Sequence, residues 1–176
     1  MSLYFIANGP APTAAAQVAV TTGTAIKTML QLKLGANYTQ NAKIVEWGIS
    51  TDGVAASVIK VELLCTSTVG GTVTEYVAAD FINLDPLGAA VTDDNPFAFT
   101  AAGDESGYTA TAEGTIAATR VFDVQILTPP AAAAGAAYVK QFPLGREPMF
   151  KAAEYCRIRV TATVACNAYC YLVIEV

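Results

Sequence analysis

The last two regular segments of the chain alternate apolar and polar residues with a period of two, a pattern that fits a half-buried strand and not a helix. In CRIRVTATV, Cys156, Ile158, Val160, Ala162 and Val164 alternate with Arg157, Arg159, Thr161 and Thr163. In AYCYLVIEV, Ala168, Cys170, Leu172, Ile174 and Val176 alternate with Tyr169, Tyr171, Val173 and Glu175. A turn near Cys166 and Asn167 would join the two as a long antiparallel hairpin with one face in the core. Its outer face mixes Arg and Tyr, which suits a partly covered surface.

The same period recurs upstream. In AIKTMLQLKL, Ile26, Thr28, Leu30, Leu32 and Leu34 share a face opposite Lys27, Met29, Gln31 and Lys33. In KIVEWGIS, Val45, Trp47 and Ile49 point one way and Glu46 and Gly48 the other, and STDG supplies a turn at Ser50 to Gly53. VIKVELLCT puts Ile59, Val61, Leu63 and Cys65 against Lys60 and Glu62, and TRVFDVQIL puts Phe122, Val124 and Ile126 against Asp123 and Gln125. Thr, Val, Tyr and Ile dominate these segments, while Gly, Asn, Asp and Pro separate them. The Ala-rich stretches have Thr, Val and Gly neighbours and are read as strand edges and loops.

Asn83 to Gly107 and the low-complexity run Thr128 to Ala137 are irregular, and QFPLGREPMF, Gln141 to Phe150, reads as a strand ending in a turn whose apolar side chains fold back on the sheet. Roughly eight to ten short strands are expected, the range of a two-sheet sandwich or jelly roll. The fold class is therefore all-β: an antiparallel β-sandwich, jelly-roll-like, forming one domain over residues 17–176. Residues 1–16 carry the apolar run Leu3, Tyr4, Phe5 and Ile6 ahead of a Pro and Ala stretch. That run is either a first strand of the chain's own sheet or an N-terminal apolar arm that adds to a neighbouring subunit by main-chain pairing.

Composition narrows the function. The 176 residues are 53% hydrophobic and only 14% charged, against about 25% charged in an average soluble domain. A surface so poor in charge is expected to be covered in part by partners or by copies of the chain. The net charge of -5 and the scattered basic residues argue against nucleic acid as a partner. No apolar run approaches the roughly 18 residues needed to cross a membrane as a helix. The start, MSLYFIANGP, has no basic region of the kind that opens an export signal, so folding in a cytoplasm with free thiols is expected.

Chemistry is sparse. The chain has no histidine, which removes the commonest general base and the commonest transition-metal ligand. No enzymatic activity, metal or cofactor is expected. Cys65, Cys156, Cys166 and Cys170 lack paired C-x-x-C knuckles, and three of them fall on apolar strand faces, as core thiols do. Asp93, Asp94, Asn95, Asp104 and Glu105 offer oxygens without any cation-loop spacing and are read as solvated loops. Asn37, Tyr38 and Thr39 form a glycosylation triplet without meaning for a cytoplasmic chain. Trp47 is expected in the core. Tyr169 and Tyr171 face away from it and are, with Leu3, Tyr4, Phe5 and Ile6, the candidate interface residues.

KIVEWGISTDGVAASVIKVELL, Lys43 to Leu64, resembles a segment of small virion proteins of tailed bacteriophages, in which an E-W-G-I-S strand, a D-G turn and a V-E-L-L strand recur. QFPLGREP, Gln141 to Pro148, is similar to their F-P-L-G element, and the last two segments resemble their C-terminal pair. No likeness covers the middle, from about Gly70 to Ala137. The resemblance implies a non-enzymatic jelly-roll protein of the capsid surface, made in the host cytoplasm. Such a decoration or cement protein binds the outside of the major capsid protein lattice as an oligomer, expected to be a homotrimer. The second expectation is a tail or fibre-tip jelly roll that binds a host-surface glycan.

Overall fold

In the computed structural model, two antiparallel sheets pack face to face, and the alternation in the sequence selects which side chains fill the space between them. The structure describes residues 2–13, 16–52, 57–67, 69–88, 90–99, 105–128 and 135–176. Sheet I contains β1 (Leu3–Ala7), β2 (Val20–Thr21), β4 (Ala42–Asp52), β7 (Ile82–Asn83), β10 (Ala137–Gln141), β11 (Met149–Phe150) and β13 (Asn167–Glu175). Sheet II contains β3 (Ile26–Lys33), β5 (Ile59–Ser67), β6 (Thr72–Glu75), β8 (Gly107–Ala112), β9 (Ala118–Leu127) and β12 (Glu154–Ala162). The order across sheet I is β10-β4-β13-β1-β7, and across sheet II it is β6-β8-β3-β12-β5-β9.

Successive long strands change sheet at every step except from β5 to β9. That connectivity, with the order β10-β4-β13-β1 facing β3-β12-β5-β9, is the double Greek key of a jelly roll. Residues between β5 and β9 form an insertion. Its β6 and β8 extend sheet II beyond β3, and its β7 extends sheet I beyond β1.

The core is the set of inward side chains from both sheets. Tyr4, Ile6, Ile44, Trp47, Ile49, Leu172 and Ile174 come from sheet I; Leu30, Leu32, Val61, Leu63, Ile158 and Val160 come from sheet II. A second aromatic group extends the core under the insertion, where Phe81 stacks on Phe97 at 4.8 Å between ring centroids and Tyr4 meets Phe97 edge-on.

Several expectations are corrected. The expected hairpin of the last two segments does not form: β12 pairs with β3 and β5, while β13 pairs with β1 and β4. The short connection through Thr163–Cys166 crosses from one sheet to the other, so both apolar faces meet across the core instead of lying side by side. The N-terminal run is not a free arm. Leu3–Ala7 pairs along β13 from Glu175 to Tyr171, and Asn8 prolongs the ladder with its side chain, donating to Ala168 O and accepting from Cys170 N. Tyr4 and Ile6 are therefore buried core residues.

Single inserted residues displace the expected faces. A bulge at Val45 puts Ile44, not Val45, in the core with Trp47 and Ile49. A bulge at Met29 turns Thr28 outward, toward the Glu113 carboxylate, and Ile26 is exposed. In β9, Phe122 is half-buried against the core as expected, but beyond it the faces are reversed: Asp123 points into the sandwich, while Val124 and Ile126, like Val121, face solvent. Ser50 to Asp52 belong to β4, so the expected turn begins later, and Gly53 lies outside the described residues. Val164 lies beyond the end of β12 and is exposed.

Candidate interaction surfaces

A buried carboxylate on the inner side, Asp123, stands at the edge where β9 of sheet II faces β10 of sheet I. Its carboxylate accepts from Trp47 Nε1 at 3.2 Å, Tyr138 Oη at 2.8 Å, Gln125 Nε2 at 3.1 Å and Lys140 Nζ at 3.3 Å. Burial by itself would raise this carboxyl, and the donors from Tyr138, Gln125 and Lys140 more than offset that and hold it below its usual range. Burial together with the Asp123 carboxylate pushes the Tyr138 phenol up to about 12. With its lone pairs occupied, Asp123 is a structural clamp between the two sheets rather than a free base.

The outward face of sheet II is covered in part by the insertion, over β12 and its neighbours. Arg157 is completely buried there and donates to Glu113 O, Thr115 O and Val69 O at 2.9, 3.3 and 2.9 Å. Arg159 binds Glu62 at 3.0 Å and donates to Ile116 O, and Lys60 reaches the same Glu62 at 2.8 Å. The two arginines thus fasten residues 113–116 as a strap across the sheet. The expected outer face of Arg and Tyr is in fact two faces, with Arg on sheet II under the strap and Tyr on sheet I.

On the outward face of sheet I, three of the candidate interface residues meet. Phe5 stacks on Tyr171 at 5.2 Å with 26° between the rings, and Tyr169 lies 6.4 Å from Tyr171. Tyr171 Oη donates to Glu46 at 2.6 Å, and its ring lies over Gly48, where a Cβ would come within 2.5 Å of Cε1. Burial and the Glu46 carboxylate raise the Tyr171 phenol. Leu3, Phe5, Tyr169 and Tyr171 are half-buried and form one strip; Tyr4 and Ile6 are on the core side and take no part in it.

Sequence reasoning missed two further features. Leu144, at the tip of the turn between β10 and β11, is 95% exposed and does not fold back on the sheet, although Phe142 and Phe150 on either side are buried. Charge is also segregated. Between Lys60 and Arg120 the chain has nine of its fifteen acidic residues and no Lys or Arg. That run is the signal that marks the insertion as an acidic unit.

Cys65, Cys156 and Cys170 are buried, as expected of core thiols, and Cys166 is half-buried. Asp93 accepts from Phe99 N and Asp94 from Ala36 N, Glu105 pairs with Lys33, and Asp104 lies outside the described residues. Among the described residues no cluster of three His, Cys, Asp or Glu could hold a metal. No known protein family, curated protein or solved structure matches the chain.

Proposed function

We propose that this chain is a non-enzymatic virion structural protein of a tailed bacteriophage, a decoration or cement protein that binds the outside of the major capsid lattice as an oligomer. The observation that carries the reading is a jelly roll whose buried carboxylates Asp123 and Glu62 are held by neighbouring donors while Val18, Leu87, Ile126 and Leu144 stand in water. A surface with so few charges and such isolated apolar side chains gains by being covered. Many weak contacts across capsomer boundaries would stabilise a shell through avidity. The absence of histidine and the full occupation of Asp123 and Glu62 favour a binding role over a catalytic one. The likeness of Lys43–Leu64, Gln141–Pro148 and the C-terminal segments to phage proteins supplies the virion context.

The test is copy number and location in purified particles from the strain that encodes the chain, by quantitative mass spectrometry and cryo-electron microscopy. Many copies on the head surface, grouped by symmetry, are expected. A few copies at the tail, or none in any particle, would overturn the reading. The aromatic strip of Phe5, Tyr169 and Tyr171, with Glu46 beside it, favours a second reading, a tail or fibre-tip protein that stacks a sugar on those rings. Binding on a glycan array that is lost in Tyr169→Ala would favour that alternative.

A further inference from the structure

Two of the four thiols face each other inside sheet II. Cys65 of β5 and Cys156 of β12 are direct partners in an antiparallel ladder whose register runs without interruption from Ile59 opposite Ala162 to Ser67 opposite Glu154. Both side chains turn into the core, and neither has any exposed surface. The hydrogen bonds around them fix the kind of pair they form. A strand residue sends its N–H and its C=O to the same side, and the Cys65 carbonyl points toward β9, where it accepts from Thr119 Oγ1 at 3.2 Å. The backbone groups of Cys65 therefore point away from β12. The pair two residues along agrees: Glu154 N donates to Lys151 O and Ser67 O accepts from Val69 N, so neither bonds its ladder partner through these groups.

Cys65 and Cys156 are thus a non-hydrogen-bonded pair, the kind in which opposed side chains come closest, with Cα atoms about 4.5 Å apart. A disulfide needs Cα atoms about 4.4–6.8 Å apart and Cβ atoms about 3.5–4.5 Å apart. Directly opposed Cβ atoms on paired strands lie at about 4.5–5.5 Å, closest in this kind of pair. A bridge here asks for side-chain rotation and a small approach of the two Cβ atoms, and the backbone keeps its path. The thiols already act on one another: burial first, and then a hydrogen bond and charge from Cys65, raise the Cys156 thiol. Neither of the other two thiols has a cysteine opposite it. Cys170 is on β13 of sheet I, opposite Ile49, and Cys166, in the connection before that strand, lies 3.9 Å from Thr22 Oγ1.

We infer that Cys65 and Cys156 are a modification site, joined under oxidising conditions as a cross-strand disulfide that fastens the middle of sheet II. The oxidant is a small-molecule disulfide such as oxidised glutathione. One Cys thiolate attacks a sulfur of the oxidant and releases one thiol; the other Cys thiolate attacks the protein sulfur of that mixed disulfide and releases the second. The two protein thiols give up two protons and two electrons, and the oxidant becomes two thiols. Because both thiols are buried, exchange passes through opening of the sheet or takes place during folding, and the folded reduced protein oxidises slowly. The bridge closes a loop over residues 66–155, which holds the insertion, β9, β10 and β11. A long loop is where a cross-link removes most freedom from the unfolded chain. The chemistry stands whether or not the chain is a virion protein; for a virion protein, release from a reducing cytoplasm would supply the oxidising step.

The experiment refolds the full chain, denatured and reduced, in buffers of reduced and oxidised glutathione at stepped ratios. Remaining thiols are trapped by alkylation in denaturant, counted by intact mass and located by peptide mapping. Two alkylation sites are expected to disappear, with a linked peptide pair joining Cys65 to Cys156 and with Cys166 and Cys170 alkylated. The oxidised protein is expected to have the higher denaturation midpoint, its unfolding constant lowered about tenfold or more, and dithiothreitol is expected to reverse the gain. Cys166→Ser is expected to form the same link, since the half-buried thiol has no part in it. Cys156→Ala, shown to fold by its melt under reductant, is expected to lose both the link and the gain; Cys65→Ala serves in its place should it melt early. Four free thiols at every ratio, glutathione adducts without a link, or a link to Cys166 or Cys170 would each overturn the inference. So would a Cys65–Cys156 link that leaves the midpoint unchanged or lower, because a bridge that fits the native ladder stabilises it.

Discussion

Replacing Arg157 by Met keeps most of the aliphatic length and removes the three bonds by which Arg157 holds the strap to sheet II, leaving those of Arg159 and Thr28. Arg157 has no exposed surface, and its two short bonds and one longer bond all end on carbonyls of the insertion. A hydrogen bond from a charged donor contributes about 1.5–3 kcal/mol, so the three give roughly 4.5–9 kcal/mol gross. Opposing this is the cost of holding a guanidinium out of water, several kcal/mol for a buried ion. Burial lowers the Arg157 pKa, the sign expected of that cost, and Nε has no partner. The freed carbonyls can turn toward water once the strap lifts. The net loss is about 2–4 kcal/mol, or roughly 30- to 700-fold in the opening equilibrium. Because the lost bonds all lie between β12 and residues 69–115, opening should be local before it is global. Denaturant melts give the total, and hydrogen exchange at Thr115 N, which donates to Val69 O at 3.2 Å, gives the local part. A Met variant within about 0.5 kcal/mol of wild type, with protection of the strap unchanged, would refute the claim that this cation fastens the insertion.

Two further predictions concern titration and thiols. Asp123 and Glu62 are held below the usual carboxylate range, so their contribution is complete above about pH 4 and is lost as the pH falls through their lower folded values. Tyr138, raised to about 12, contributes fully below the ordinary tyrosine value of about 10 and is lost as the pH climbs beyond it. Denaturation midpoints across pH should therefore fall at both ends, and an acid limb that is unchanged in Asp123→Asn would count against the clamp. Of the four cysteines, only half-buried Cys166 should react quickly with a maleimide in the native protein, all four reacting in denaturant. Burial raises the thiols of Cys156 and Cys170, so neither offers much thiolate; fast native labelling of more than one site would refute the packing of that core.

Strand positions were legible in the sequence, whereas strand faces were legible only where no residue is inserted. The period-two pattern gives β5 and β13 correctly, residue for residue, because neither strand carries an inserted residue: Ile59, Val61, Leu63 and Cys65 are inside, as are Ala168, Cys170, Leu172 and Ile174. Where one residue bulges, as at Met29, Val45 and Phe122, everything beyond it changes face, and nothing in the local composition marks the position. Alternation is also silent on partners. A connection of a few residues can close a hairpin or cross the core, and Cys156–Val164 followed by Ala168–Val176 reads the same in both. The aromatic strip was legible in Tyr169 and Tyr171, since outward Tyr on an otherwise apolar strand has no core to fill. Leu144 was not, because an apolar residue flanked by Phe142 and Phe150 reads as a third core contact until the turn at Gly145 is seen to point it away.

The reversed faces of β9 bear on how such a chain avoids pairing with the wrong surface. A ten-residue edge strand with Val121, Val124 and Ile126 exposed is a ready template for strand addition. It is interrupted by two bulges, at Phe122 and Thr119, which break the regular spacing of its free peptide groups. An incoming strand would also have to lie against Asp123 and Lys140, charges placed at the same opening between the sheets. Sheet I ends on one side in β7, only two residues long, which gives an incoming strand too little to pair with. With β9 and β7 blunted, one edge of each sheet is a poor route to association by backbone pairing, and contacts made by side chains gain there by comparison.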